Sequence, residues 1–270
     1  MGNRAPIGVF DSGLGGVAIL RAMRDVLPHE DMVYMADSGY APYGDRSVEW
    51  IMARSMAICD FLVAEGAKAL VVACNTATTV AVRALRERLG DLPIVAIEPA
   101  IKPAAAMTRS GVIGVMATSR TVGSEQFSHL RVQYGQGVDV IGQACPGLAD
   151  LVEAGQLTGE EVREAVDRYV QPLIKQGADT LVLGCTHYTF LSKLIQEAGG
   201  PDVVIVDPAV AVASELVRRI RDHGLTSGAL SRGHVRFFTT GRPDQVTRVL
   251  SSLWPGDAVV HRAPGLVGSD

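Results

Sequence analysis

Two thiols occupy matching places in a stretch that the chain carries twice. Glu65-Gly66-Ala67-Lys68-Ala69-Leu70-Val71-Val72-Ala73-Cys74-Asn75-Thr76 is echoed by Gln176-Gly177-Ala178-Asp179-Thr180-Leu181-Val182-Leu183-Gly184-Cys185-Thr186-His187, with Gly, Ala, Leu, Val and Cys recurring at a constant spacing of 111 residues. Each copy reads as a buried strand that delivers a cysteine to the carboxyl edge of a parallel sheet, followed by a helix start. A thiolate is a competent base once a helix N-terminus or a neighbouring cation lowers its pKa toward the working pH. Two such groups facing one carbon can remove a proton from one side and return one from the other. That chemistry inverts a centre bearing an acidic proton and requires no cofactor. Asp11, at the end of the first strand, and His187, two residues after Cys185, are placed to assist.

The elements that must position these groups alternate from end to end. Ile7–Phe10 reads as a short buried strand, Gly13-Leu14-Gly15-Gly16 as a turn into a helix around Val17–Leu27, and Asp31–Ala36 as a second strand closing on Asp37. A turn-rich loop spans Asp37–Asp45, a helix Val48–Glu65, the Cys74 strand follows, then a helix at about Thr79–Leu89 and a strand at Ile94–Ile97. The second half repeats the pattern. Ile113-Gly114-Val115-Met116-Ala117-Thr118-Ser119 echoes Ile7-Gly8-Val9-Phe10-Asp11-Ser12-Gly13, with a helix at about Ser124–Tyr134, a strand at Val138–Ile141, a loop opened by Cys145-Pro146-Gly147, a helix at Val162–Gln176, the Cys185 strand and a strand at Val203–Val206. The remaining elements (Ala209–Asp222, Val235–Thr239, Asp244–Leu253, Ala258–Val260) have no counterpart in the second half, so they should return to the first. Alternating β and α signals predict an α/β fold of two pseudo-symmetric parallel-sheet domains with the active site in the cleft between them. The expected division is 1–98 plus 208–270 against 99–207.

Composition removes several classes of function. At 270 residues, with 47% hydrophobic and 20% charged residues, the chain fits a two-domain α/β protein. A formal net charge of −4 gives no basic footprint for nucleic acid. A strand begins almost at once with no signal region before it, and no apolar run would span a bilayer, so the expected location is cytoplasmic without membrane attachment. The four cysteines show no CxxC or His/Cys cluster, so they read as free thiols rather than disulfides or a metal site.

Asp11-Ser12-Gly13, Pro42-Tyr43-Gly44, Cys74-Asn75-Thr76-Ala77 and Cys185-Thr186-His187 together resemble the glutamate racemases of the aspartate/glutamate racemase superfamily, over nearly the whole chain. The resemblance implies interconversion of L- and D-glutamate without cofactor or metal, supplying D-glutamate for peptidoglycan, in a homodimer. It makes Cys74 and Cys185 the acid/base pair, with Asp11, His187 and Glu153 in support. It carries substrate contacts over to Asp11, Ser12, Tyr43, Gly44, Asn75, Thr76, Thr118, Thr121, Thr186 and His187. One departure is Val122-Gly123-Ser124 after Thr121, where the family more often has an Arg-Ser pair.

Plainer readings stand beside these. A lone buried cysteine is usually small core filler, as expected of Cys59 on its helix and of Cys145 before Pro146-Gly147; the duplicated context sets Cys74 and Cys185 apart. Asp11 could simply cap the following helix. Gly13-Leu14-Gly15-Gly16-Val17-Ala18 also fits a G-x-G-x-x-A dinucleotide fingerprint with Asp37 closing the next strand, which would make the protein an NAD-dependent enzyme. Another class is a redox or binding module that uses the facing thiols as a disulfide switch. Within the racemase superfamily the competing activity is that of an aspartate racemase, and Thr186-His187 after Cys185 favours glutamate.

Overall fold

In a computed structural model, residues 4–266 are described, and they form two wholly parallel sheets, each wrapped by helices. The first half runs β1 (Ile7–Asp11), α1 (Val17–Val26), β2 (Met32–Ala36), α2 (Val48–Ala64), β3 (Ala69–Val72), α3 (Asn75–Leu89), β4 (Ile94–Ala96) and α4 (Ile101–Met107). The second runs β5 (Val112–Ala117), α5 (Ser119–Val122), α6 (Glu125–Tyr134), β6 (Asp139–Ala144), α7 (Leu148–Glu153), α8 (Glu160–Lys175), β7 (Thr180–Leu183), a 3-10 helix (Thr186–Leu191), α9 (Ser192–Gly199) and β8 (Val204–Val206). The chain closes with α10 (Ala209–Asp222), β9 (Val235–Thr239), α11 (Pro243–Leu253) and β10 (Val260–Arg262).

The first sheet has the order β10-β9-β2-β1-β3-β4 and the second β6-β5-β7-β8. The late strands therefore extend the first sheet, β9 pairing with β2, while α10 packs on α1. Apolar runs such as Val9, Val71, Val115 and Val182 form central strands because helices cover both faces, and all four are fully buried. Each such side chain contributes roughly 1.5–3 kcal/mol of hydrophobic stabilisation. The repeat extends to packing. Gly8 pairs with Leu70 and Gly114 with Leu181, and a Cβ on either glycine would lie 2.8 or 2.7 Å from that leucine's Cδ2. A glycine is therefore needed at this strand position for the neighbouring leucine to seat.

Both sheets place the functional segments by topology. From β1 the chain steps to β2 on one side and to β3 on the other; from β5 it steps to β6 and then to β7. The crevice at the carboxyl ends of β1/β3, and likewise of β5/β7, is where such sheets bind ligands. Cys74 and Cys185 each lie two residues beyond a strand end at these crevices. No helix among the described residues is long and apolar enough to cross a membrane.

Several boundaries differ from those the sequence predicts. Helix α3 starts at Asn75 rather than near Thr79, because Cys74 itself caps it. The segment after Cys145 becomes the short helix α7 within a few residues, and Cys185 is followed by a 3-10 helix. Helices α4, α5 and α9 are additions to the predicted elements.

Candidate active site

The carboxyl ends of β1, β3, β5 and β7 converge on a small, narrow cavity. Its walls are Ser12, Pro42, Tyr43, Gly44, Cys74, Asn75, Thr76, Thr118, Ala149, Cys185, Thr186 and His187, and its free volume is about 20 Å³. Both repeated thiols thus face one narrow space, 5% and 6% exposed.

Around Cys74 the polar partners come from the backbone and a hydroxyl. Because Cys74 is the N-cap of α3, its Sγ accepts the Ala77 N–H at 3.4 Å, and its thiol donates to Ser12 Oγ at 3.6 Å. Asp11 stands behind: Oδ2 accepts the Gly16 N–H at 2.9 Å, and Oδ1 is buried without a partner. Burial pushes the Cys74 thiol pKa well up, Asp11 adds to the effect, and the Ala77 and Ser12 contacts offset it only in part. The sequence predicts a lowered thiol at a helix start; here desolvation outweighs the helix N-terminus.

Around Cys185 the partner is an imidazole. The 3-10 helix offers Cys185 no capping role and instead turns His187 back, setting Nδ1 3.6 Å from the sulfur. His187 Nε2 lies 2.7 Å from Glu153 Oε1. Burial alone would lower the His187 pKa, but hydrogen bonds to Cys185 and Glu153 outweigh it and hold the value well above the usual histidine range. A charged imidazolium thus stands 3.6 Å from the Cys185 sulfur.

The glycine turn of the first half is shaped by these second-half side chains. A Cβ on Gly15 would sit 2.5 Å from both His187 Nδ1 and Thr186 Oγ1, and one on Gly13 would collide with the Glu153 carboxylate. The Glu153 carboxylate also accepts the Leu14 N–H at 2.5 Å and the Ser38 hydroxyl at 3.4 Å, and the Tyr34 hydroxyl ties down the Gly13 carbonyl at 2.8 Å. Gly13 and Gly15 make room for protein groups where a dinucleotide reading would set a pyrophosphate.

Three threonines join the two halves. Thr76 Oγ1 lies 2.9 Å from Thr118 Oγ1, which lies 3.0 Å from Thr121 Oγ1. Thr121 is fully buried and reaches the cavity only through Thr118. Asn75 lines the cavity with both polar side-chain atoms buried and unpartnered. Such groups are costly unless a ligand or water satisfies them. The cavity therefore gathers Ser12, Tyr43, Gly44, Cys74, Asn75, Thr76, Thr118, Cys185, Thr186 and His187, while Asp11, Thr121 and Glu153 stand one layer behind. Pro42 and Ala149 join the wall without having been candidates; Pro42 lies inside the Pro42-Tyr43-Gly44 motif, and nothing in the sequence marks Ala149. Cys59 and Cys145 are buried, the Cys59 pKa raised to about 12, and the Cys145 thiol donates to the Gln143 carbonyl at 3.3 Å.

Residues 16–216 match the model of the Asp/Glu/Hydantoin racemase family. The chain belongs to that family. It is 47% identical to the glutamate racemase of Methylococcus capsulatus over 97% of this chain and 95% of that one. Its fold matches the crystal structure of a glutamate racemase isoform from Bacillus anthracis with a TM-score of 0.90 and 34% identity, covering 98% of this chain and 99% of that one. It also matches the Escherichia coli glutamate racemase, solved with L-glutamate and the activator UDP-MurNAc-Ala, at a TM-score of 0.84 and 28% identity over 96% and 98% of the two chains.

Proposed function

We propose that the chain interconverts L- and D-glutamate by two-thiol proton transfer. The observation that carries the reading is the pair of thiols on one narrow cavity with unlike partners, His187 beside Cys185 and Ser12 beside Cys74. The Cys185 thiolate, paired with the His187 imidazolium, takes the α-proton of L-glutamate. The Cys74 thiol then delivers its proton to the opposite face of the carbon, leaving Cys74 as the thiolate that starts the reverse reaction on D-glutamate. Glu153 holds His187 charged and oriented, and Asp11 assists Cys74. Asn75 and the Thr76–Thr118 hydroxyls supply polar contacts for the substrate's ammonium and carboxylate, backed by Thr121, with Ser12, Tyr43, Gly44 and Thr186 completing the wall. These steps need only the protein's own groups.

Residues 1–98 with 208–270 act in this reading as one half of the enzyme and 99–207 as the other, opening to admit substrate. D-Glutamate made in the cytoplasm by a homodimer of this kind would feed peptidoglycan synthesis. The test is proton NMR of L-glutamate in heavy water with purified reduced protein and no added cofactor, with L-aspartate in parallel. Loss of the glutamate α-proton signal with D-glutamate appearing on chiral analysis is expected. Exchange of aspartate alone would transfer the mechanism to another substrate, and no exchange of either from folded protein would sink the reading.

A further inference from the structure

Tyr43 and Gly44 wall the narrow cavity, and what holds them lies outside it. The loop that carries them leaves β2 at Asp37, whose carboxylate is fully buried and receives four hydrogen bonds. Arg54, from α2, donates twice, Nε to Oδ2 at 2.8 Å and Nη2 to Oδ1 at 2.6 Å. The Tyr43 hydroxyl donates to Oδ2 at 2.5 Å, and Thr240 Oγ1 donates to Oδ1 at 2.7 Å. The third guanidinium nitrogen of Arg54 donates to the Leu266 carbonyl at 2.8 Å, and the guanidinium carbon lies 4.1 Å from the centroid of the Tyr40 ring, in the middle of the same loop. One side chain therefore grips the loop at its root, at its midpoint and, through Asp37, at its cavity-facing tyrosine. Neither Arg54 nor Asp37 lines the cavity.

The chemistry of the grip is specific to arginine. A buried carboxylate needs a charge partner, and only the planar fork of a guanidinium can bond both carboxylate oxygens while its face stacks on an aromatic ring. On the far side of the loop, Gly44 also borders a larger outer cavity of about 740 Å³ lined by Asp45, Ser119 and Arg120. The wall that Arg54 steadies thus separates the buried thiols from the open vestibule.

We propose that Arg54 is a positioning residue for the reaction: acting through Asp37, it fixes Tyr43 and the Pro42-Tyr43-Gly44 wall, and so sets substrate affinity and the seclusion of Cys74 without touching substrate. This rests on the racemisation reading above. Tyr43 and Gly44 take no part in proton transfer, so loosening them removes binding that substrate and transition state share; KM rises and kcat holds.

The test compares Arg54→Met, Arg54→Lys and Tyr43→Phe with the parent, measuring kcat and KM for both enantiomers, thermal midpoint, and the rate of iodoacetamide alkylation at Cys74 by peptide mass spectrometry. Arg54→Met is expected to raise KM about tenfold or more for both enantiomers with kcat within about threefold, and to speed Cys74 alkylation. Arg54→Lys, keeping charge without the fork, should fall between, and Tyr43→Phe should shift KM the same way by less. Adding Tyr43→Phe to Arg54→Met should cost nothing further, because both act through Asp37. A lowered thermal midpoint with KM and alkylation unchanged would overturn the proposal, reducing Arg54 to a fold-stabilising residue. If Arg54→Met does not fold, Arg54→Lys and Tyr43→Phe decide: raised KM in both supports it, unchanged KM in both overturns it. A parent protein without racemase activity would defeat the functional reading alone, and alkylation of Cys74 would still decide the role of Arg54.

Discussion

The two thiol sites begin alike and diverge one residue after the cysteine. Strands β3 and β7 end two residues before their thiols, and their last links to the central strand correspond, Ala73 N–H to the Phe10 carbonyl at 2.9 Å and Gly184 N–H to the Met116 carbonyl at 2.7 Å. Beyond that point an α-helix starts at Asn75 and a 3-10 helix at Thr186. The α-helix uses Cys74 as its cap, so a backbone N–H faces that sulfur; the 3-10 turn leaves Cys185 uncapped and swings His187 beside it. A duplicated scaffold thus holds one sulfur that burial keeps protonated and one with a charged imidazole at hand. The difference teaches that the unlike surroundings of the two sulfurs come from the choice of helix after the strand, not from the strands themselves.

Removing either sulfur is the strongest way to break this comparison. Cys74→Ser and Cys185→Ser should each lower racemisation by roughly 10²–10⁴-fold, the usual worth of one positioned proton-transfer group, as followed by polarimetry. Parental turnover in either variant would end the two-thiol account.

A sharper test touches one side only. His187→Gln should lower kcat/KM by about 10²-fold, and by the same factor in both directions because the enantiomers have equal free energy. The asymmetry must therefore be sought in the primary deuterium isotope effect. With α-deuterated substrates it should grow for L-glutamate, whose proton Cys185 takes under the proposed mechanism, and not for D-glutamate. Equal growth for both would mean that His187 serves the two sulfurs alike.

The smallest effect separates the sides by pH. His187 has a raised folded pKa, so its contribution to stability is complete below its unfolded value of about 6.5 and is lost as pH climbs toward the folded one. The Cys74 pKa is also raised, so the stability linked to its neutral thiol is complete below about 8.5 and declines above it. Thermal midpoints from pH 6 to pH 10 should show the fall starting earlier for the His187 component, which His187→Gln removes, and later for that of Cys74, which Cys74→Ser removes. Coincident changes in both variants would contradict the assignment.

Much of this is legible in the sequence because the fold repeats itself. Leu70-Val71-Val72 and Leu181-Val182-Leu183 announce buried strands by composition, and the spacing of Cys74 and Cys185 survives into matching places at two sheet edges. The first turn of α3 is hidden because Asn75, Thr76 and Thr78 favour turns locally, and a cysteine is an uncommon cap. The 3-10 helix leaves no periodic signature that separates it from a loop. The reach of Glu153 to Leu14 spans 139 positions, and Arg54 meets Asp37 only because a strand end and a helix fold together. Contacts of that kind belong to tertiary structure, and no pattern of residue types announces them.

The cavity between the sulfurs, with about 20 Å³ of free volume, has room for about one water molecule. Glutamate is far larger than that space, so the proposed function requires the sheet edges to part at the start and finish of each turnover. Under the proposed two-thiol mechanism, the proton lifted from one face would stay behind as the other sulfur gave up its own. In that reading the empty enzyme would be left handed: having released D-glutamate, it would be set to accept D-glutamate again until solvent restored the first arrangement. An enzyme of that kind would carry a memory of the last enantiomer it made.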